Sequence, residues 1–68
     1  MVYKIELFDK NYKQIAKTYA TDYTKKRWNK GLDGIIQYAM AHKGVSGTAK
    51  YFRMYFGLAK QYEYCGTI

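Results

Sequence analysis

The chain has 68 residues, and its 12 Lys and Arg outweigh its 5 Asp and Glu to give a formal charge of +7. A domain of this size buries only about 60% of the surface of its unfolded chain, so we expect one domain, residues 1–68. One Cys, one His and no Pro argue against a disulfide scaffold and a Cys/His zinc site, and no cofactor or metal is expected. An aromatic share of 19% argues against disorder.

Targeting and membrane segments are not expected. No apolar stretch of signal-peptide length follows Met1, and no run reaches the roughly eighteen apolar residues of a membrane helix. The lone Cys65 suits a reducing compartment. We therefore expect a cytoplasmic protein that does not bind membranes.

The first third of the chain predicts a β-hairpin. Residues 2–8 alternate between apolar and charged side chains, the pattern of a half-buried strand. Residues 9–13 contain Asp and Asn, which favour a turn, and residues 13–20 form the return strand. The apolar face of the first strand holds Tyr3, Ile5 and Leu7.

A helix is predicted for residues 22–43. Its apolar stripe consists of Trp28, Leu32, Ile35, Ile36, Ala39 and Met40. Gly31 and Gly34 each cost about 1 kcal/mol relative to Ala inside a helix. They mark a kink, a close approach to the sheet, or a break into two shorter helices. Lys43 followed by Gly44 is typical of a helix C-terminus.

The remaining residues predict two more strands, 48–56 and 59–65. In the first of these, Phe52, Met54 and Phe56 share one face. The element order is then β-β-α-β-β. This order predicts an α+β fold: a four-stranded, mostly antiparallel sheet with one helix packed on one face.

One helix leaves the other side of such a sheet uncovered. We expect Tyr51, Arg53 and Tyr55 there, with some of Tyr3, Tyr19, Tyr62 and Tyr64. Tyr and Arg are enriched in interface hot spots, and they also stack on bases and contact phosphates. The alternative is purely structural, because cross-strand tyrosine pairs stabilise a sheet by roughly 0.2–1 kcal/mol each.

A short basic run at the start of the predicted helix is a second candidate site. It comprises Lys25, Lys26, Arg27 and Lys30. These cations suit contacts with phosphates or with an acidic protein surface. The alternative is a solvated helix face with Trp28 in the core.

The chain has few groups that suit catalysis. His42 and Cys65 form a nucleophilic pair only if two distant segments align, and Ser46 lacks triad partners. The carboxylates Asp22, Asp33 and Glu63 are scattered rather than paired. We therefore expect a protein that is not an enzyme.

In size, in β-β-α-β-β order and in its lack of catalytic groups, the chain resembles small phage-encoded inhibitors of host defence, including anti-CRISPR proteins. Its Lys-, Tyr- and Asn-rich composition without Pro also looks like that of a phage gene. The resemblance implies an inhibitor that blocks a host protein or nucleoprotein complex in the host cytoplasm. A fainter resemblance is to the arm-binding domains of tyrosine-type integrases, which read DNA with a sheet.

Three functional hypotheses follow. The first is a non-enzymatic inhibitor that docks on a larger protein or nucleoprotein complex through a basic, tyrosine-rich surface. The second is direct binding of single-stranded or duplex nucleic acid, and the third is a homodimer that buries the tyrosines against a second copy. The candidate binding residues are Tyr51, Arg53, Tyr55, Tyr62 and Tyr64, with Lys25, Lys26, Arg27 and Lys30 as electrostatic support.

Overall fold

A computed structural model describes residues 1–24, 31–57 and 64–68. The elements are β1 (Val2–Phe8), β2 (Gln14–Thr21), α1 (Gly31–Lys43), β3 (Tyr51–Phe56) and β4 (Tyr64–Thr67). The strands form one sheet in the order β2-β1-β3-β4, and all three pairings are antiparallel. The predicted α+β class and β-β-α-β-β order are confirmed.

The predicted turn between β1 and β2 is organised by Asp9. Its Oδ1 accepts hydrogen bonds from the backbone N–H groups of Asn11 (2.8 Å) and Lys13 (3.0 Å). Tyr12, within this turn, has a φ of 62°, in the left-handed region. Ile15 lacks a partner in the register and forms a bulge at the start of β2.

The helix is shorter than predicted. Gly31 has a φ of 61°, which a right-handed helix cannot include, so a continuous helix over residues 22–43 is wrong. Residues 22–24 are helical, α1 begins at Gly31, and the predicted segment between them lies outside the described residues. Of the three interpretations left open for the two glycines, Gly31 marks a break.

The predicted end of the helix is confirmed. Gly44 has a φ of 68°, and its N–H donates to the carbonyl of Ala41 (3.2 Å). The N–H of Val45 donates to the carbonyl of Met40 (3.0 Å). This pair of bonds is a Schellman motif, which satisfies carbonyls that the helix leaves unpaired at its end.

The core lies between α1 and one face of the sheet. Ile5, Leu7, Ile35 and Met54 are completely buried. The side chains of β2 on this face are Ala16, Thr18 and Ala20, which are small. α1 lies over β2 and β1, so these small side chains, including two alanines that are weak strand formers, suit a strand that a helix must approach closely.

Two tyrosines considered for the uncovered face lie on the helix side instead. Tyr3 is 4% exposed, and its hydroxyl donates to Oδ1 of Asp22 at 2.6 Å. Tyr64 pairs with the buried Met54, so the expectation that it lies on the uncovered face is wrong. Its ring contacts Phe52 edge-on at 5.0 Å. The physical reason is register: cross-strand partners share a face, and this pairing depends on where β4 begins.

The last two strands also differ from their predicted bounds. β3 begins at Tyr51, because the N–H groups of Thr48 and Ala49 both donate to the carbonyl of Val45 in a turn. β4 spans Tyr64–Thr67, and residues 58–63, which include most of the predicted last strand, lie outside the described part of the chain.

Candidate binding face of the sheet

The face of the sheet opposite α1 is called the open face here. Because cross-strand partners share a face, the register assigns its side chains to rows that run across the sheet. The rows are Thr21–Val2, Tyr19–Lys4–Tyr55, Lys17–Glu6–Arg53–Cys65 and Gln14–Phe8–Tyr51–Thr67. The predicted placement of Tyr51, Arg53, Tyr55 and Tyr19 on this face is confirmed.

The centre of the open face is a set of linked polar groups around Glu6. Its Oε1 accepts a hydrogen bond from the Tyr55 hydroxyl at 2.9 Å, and its Oε2 lies 3.8 Å from Nζ of Lys4. The same Nζ lies 5.0 Å from the centre of the Tyr55 ring. The Glu6 side chain is only 13% exposed, so the one carboxylate in these rows is largely covered by its partners.

Tyr55 is held in its neutral form by these surroundings. Burial, followed by the hydrogen bond to Glu6 and the charge of Glu6, raises the pKa of the Tyr55 hydroxyl above its usual 10.0. Arg53 acts in the opposite direction and lowers that pKa. The hydroxyl therefore remains a hydrogen-bond donor to Glu6 at neutral pH.

The side of the open face next to the β1–β2 turn is aromatic. We call Phe8, Tyr12, Tyr51 and Arg53 the aromatic end. The Tyr12 and Tyr51 rings stack with centroids 4.5 Å apart and planes inclined by 20°. The guanidinium of Arg53 lies 5.1 Å from the centre of the Phe8 ring, within the range of a cation–π contact. Tyr12 is nevertheless 70% exposed.

A groove of about 300 Å³ runs along the aromatic end towards β4. Its lining residues are the aromatic end together with Phe52, Cys65, Gly66 and Thr67. Within it, an interaction with the Tyr12 hydroxyl raises the pKa of Tyr51 above 10.0. The groove thus offers rings, a guanidinium and neutral hydroxyls rather than carboxylates.

Positive charge dominates the open face. Its rows contain Lys4, Lys17 and Arg53 against Glu6, a difference of +2. Three further exposed cations, Lys10, Lys13 and Lys50, flank the aromatic end in the turn and just before β3. The acidic residue of that turn, Asp9, is engaged with two backbone N–H groups.

Sequence reasoning missed two residues of this surface, Phe8 and Tyr12. Phe8 has the same strand parity as Lys4 and Glu6, so the alternation of β1 was a sufficient signal to place it on the open face. Tyr12 had no such signal. Its ring reaches Tyr51 from a turn residue in a left-handed backbone conformation, which a tyrosine rarely adopts.

Several predicted site residues lie outside the described residues. These are Tyr62, Lys25, Lys26, Arg27 and Lys30. Tyr64 is described, but on the helix face, where its hydroxyl donates to Oδ1 of Asp33 at 3.2 Å. The structure therefore brings together Tyr51, Arg53 and Tyr55 from the predicted set.

The sequence left one nucleophilic pair to consider, His42 with Cys65. His42 belongs to α1 and stacks on Tyr38 at 5.4 Å, whereas Cys65 is exposed on the open face, across the sheet. The two side chains are not brought together. Among the residues that the structure describes, there is no group of three or more His, Cys, Asp and Glu placed to hold a metal ion.

The same described residues contain no helix long and apolar enough to cross a membrane. Comparisons of the chain with protein-family models, with curated proteins and with solved structures found no match.

Proposed function

We propose that this protein is a non-enzymatic binding protein that docks through its open face onto a larger protein or nucleoprotein complex and inhibits it. One observation carries the proposal: the side of the sheet opposite α1 presents tyrosines and cations at its surface. A sheet face that only faces water usually carries small polar and charged residues.

The open face has the composition of a binding hot spot. Tyr12 and Tyr19 are 70% and 55% exposed, and each offers a large ring with few rotatable bonds. Neighbouring Tyr55 is already fixed by its hydrogen bond to Glu6. Because little freedom is left in the Tyr55 side chain for a partner to remove, its share of the entropic cost of docking is small.

Charge supports a partner with an acidic surface. The whole chain carries +7, and the open face contributes cations from β1, β2 and β3. Such a field accelerates the encounter with an acidic protein surface or a nucleoprotein, and mutation of its exposed cations changes the association rate more than the dissociation rate.

Inhibition is supported by the resemblance in size and element order to small phage-encoded inhibitors. A small domain that covers a working surface of a larger complex needs no active site of its own, and binding alone accounts for its effect.

The test is a pull-down from a lysate of the source organism, with and without nuclease. The open-face variant changes Tyr51, Arg53 and Tyr55 to Ala. The matched control changes three exposed residues of α1, Gln37, His42 and Lys43, to Ala, which also removes one cation. We expect the wild type and the control to capture the same partner and the open-face variant to lose it, with all three folded by circular dichroism.

Two outcomes contradict the proposal. If the folded open-face variant captures the partner as the wild type does, docking does not use this face. If the captured complex keeps its full activity with a saturating amount of the protein bound, the protein is a binder but not an inhibitor. Self-association through the tyrosines is checked by sedimentation, in which a dimer lost in the open-face variant would favour the homodimer.

A further inference from the structure

We propose that the aromatic end is a binding site for single-stranded nucleic acid, with an unpaired base stacked on Tyr12 and phosphates held by the surrounding cations. This inference rests on the proposed function, because it names what one end of the open face contacts. It assigns roles to Tyr12, Lys10, Lys13 and Lys50, which the sequence analysis did not propose as site residues.

Tyr12 is built as a stacking platform. One side of its ring lies against Tyr51 at 4.5 Å, yet the residue is 70% exposed, so the other side of the ring faces solvent. The turn below it is held by the two hydrogen bonds to Asp9. A ring fixed in this way accepts any planar base without reorganisation, which is the arrangement that single-strand binding proteins use.

Exposed cations lie close in sequence to the residues of this platform. Lys10 and Lys13 are exposed in the same turn as Tyr12, and Lys50 is exposed directly before Tyr51. The N–H of Lys50 donates to the carbonyl of Phe8 at 2.8 Å, so the backbone of this lysine lies next to the aromatic end. With Arg53, four cations belong to the segments that carry these rings, and charge complementarity favours a phosphate backbone.

The combination of an exposed stacking ring with nearby cations distinguishes single-stranded nucleic acid from other anions. A duplex keeps its bases stacked on each other, so it offers phosphates but no free base face to Tyr12. The Asp and Glu side chains of an acidic peptide offer negative charge but no planar ring that could stack on Tyr12. Only an unpaired strand supplies a planar group and regularly spaced negative charges together.

The experiment measures fluorescence anisotropy of a labelled oligothymidylate of about ten nucleotides, a length within the site sizes of small single-strand binding domains. Four neutralised phosphates predict that the logarithm of the association constant falls against the logarithm of salt concentration with a slope of about −3. Lys13→Gln should reduce that slope by about 0.7, whereas Lys43→Gln, at the end of α1, should leave it unchanged.

The stacking contact is tested with Tyr12→Asn. Asn tolerates the left-handed conformation of residue 12, so the turn is retained while the ring is lost. We expect binding to weaken about 5- to 150-fold, which is the stacking of one base converted at tenfold per ~1.4 kcal/mol. Tyr12→Phe should bind as the wild type does. The matched control is Tyr23→Asn, since Tyr23 is 71% exposed and lies beyond the far end of β2.

Three results would overturn the inference. The first is no binding of the oligothymidylate at about 50 mM salt. The second is unchanged binding by Tyr12→Asn. The third is displacement of the labelled oligothymidylate by polyglutamate or by a duplex at the same concentration as by unlabelled single strand. The proposed function fails separately. A nuclease-resistant partner captured through the open face, without oligonucleotide binding, removes only this inference, and oligonucleotide binding without such a partner removes only the protein-directed proposal.

Discussion

The assignment of the two sheet faces is tested by deleting methyl groups from β1. Ile5 is completely buried between Thr18, Met54 and α1, whereas Val2, on the same strand, is 44% exposed and has the parity of the open face. We expect Ile5→Val to destabilise the fold by about 0.5–1.5 kcal/mol and Ile5→Ala by about 2–5 kcal/mol. Val2→Ala should cost no more than about 0.5 kcal/mol.

These costs are large for a chain of this size. At about 0.05–0.15 kcal/mol per residue, 68 residues have a free energy of unfolding of about 3–10 kcal/mol. The loss from Ile5→Val corresponds to a fall in Tm of about 2–12 °C, at 4–8 °C per kcal/mol. Ile5→Ala removes much of the total, and at the upper end of its range it leaves the chain largely unfolded.

The assay is urea denaturation followed by circular dichroism, with thermal melting as a second readout. A shift in the midpoint with an unchanged slope identifies a true stability change. The reasoning would be refuted if Ile5→Ala cost less than about 0.5 kcal/mol while Val2→Ala cost about 2 kcal/mol or more. That reversal would mean that β1 is turned over and that the proposed open face is the core.

Three further predictions concern turns and tyrosines. Tyr3→Phe removes the 2.6 Å hydrogen bond to Asp22 and should lower the free energy of unfolding by about 1–2 kcal/mol in urea, whereas no loss would show that the bond contributes nothing. Gly57 has a φ of 67°, so Gly57→Ala should cost about 1–2 kcal/mol in thermal melts, while Gly47→Ala, with open space around it, should cost little; equal costs would contradict this. In the described part of the chain, four tyrosine hydroxyls have a pKa raised above 10.0 in the folded state, so the unfolded chain loses these protons first and stability falls as pH rises from 10 through the folded values. The four are Tyr3, Tyr51, Tyr55 and Tyr64. Free energies of unfolding measured in urea at several pH values above 10 should fall with pH, and stability that rises with pH there would be the opposite result.

Much of the fold could be predicted because local patterns and tertiary structure agree. The alternation of residues 2–8 places Ile5 and Leu7 in the core, and the apolar spacing of Leu32, Ile35 and Ala39 covers them. Both patterns reflect burial of one face, which is the strongest signal that a single sequence carries. The same parity places Arg53 on the open face.

The parts that could not be predicted depend on pairings between distant segments. Tyr64 lies on the helix face because it pairs with Met54, and a shift of one residue in β4 would reverse that placement. The stack of Tyr12 on Tyr51 joins a turn to a strand 39 positions away and requires a positive φ at a tyrosine. Propensity alone would assign such a conformation to Gly or Asn.

The central claim is that partners dock on the open face, and lysine labelling of the wild-type protein tests it most directly. The free protein and its captured complex are treated with an amine-reactive acetyl donor, and modified peptides are quantified by mass spectrometry. Lys17 lies on the open face and Lys43 is exposed at the end of α1, so they provide an internal comparison. We expect Lys17 to be protected in the complex while Lys43 reacts as in the free protein. Protection of Lys43 with full reactivity of Lys17 would contradict the account.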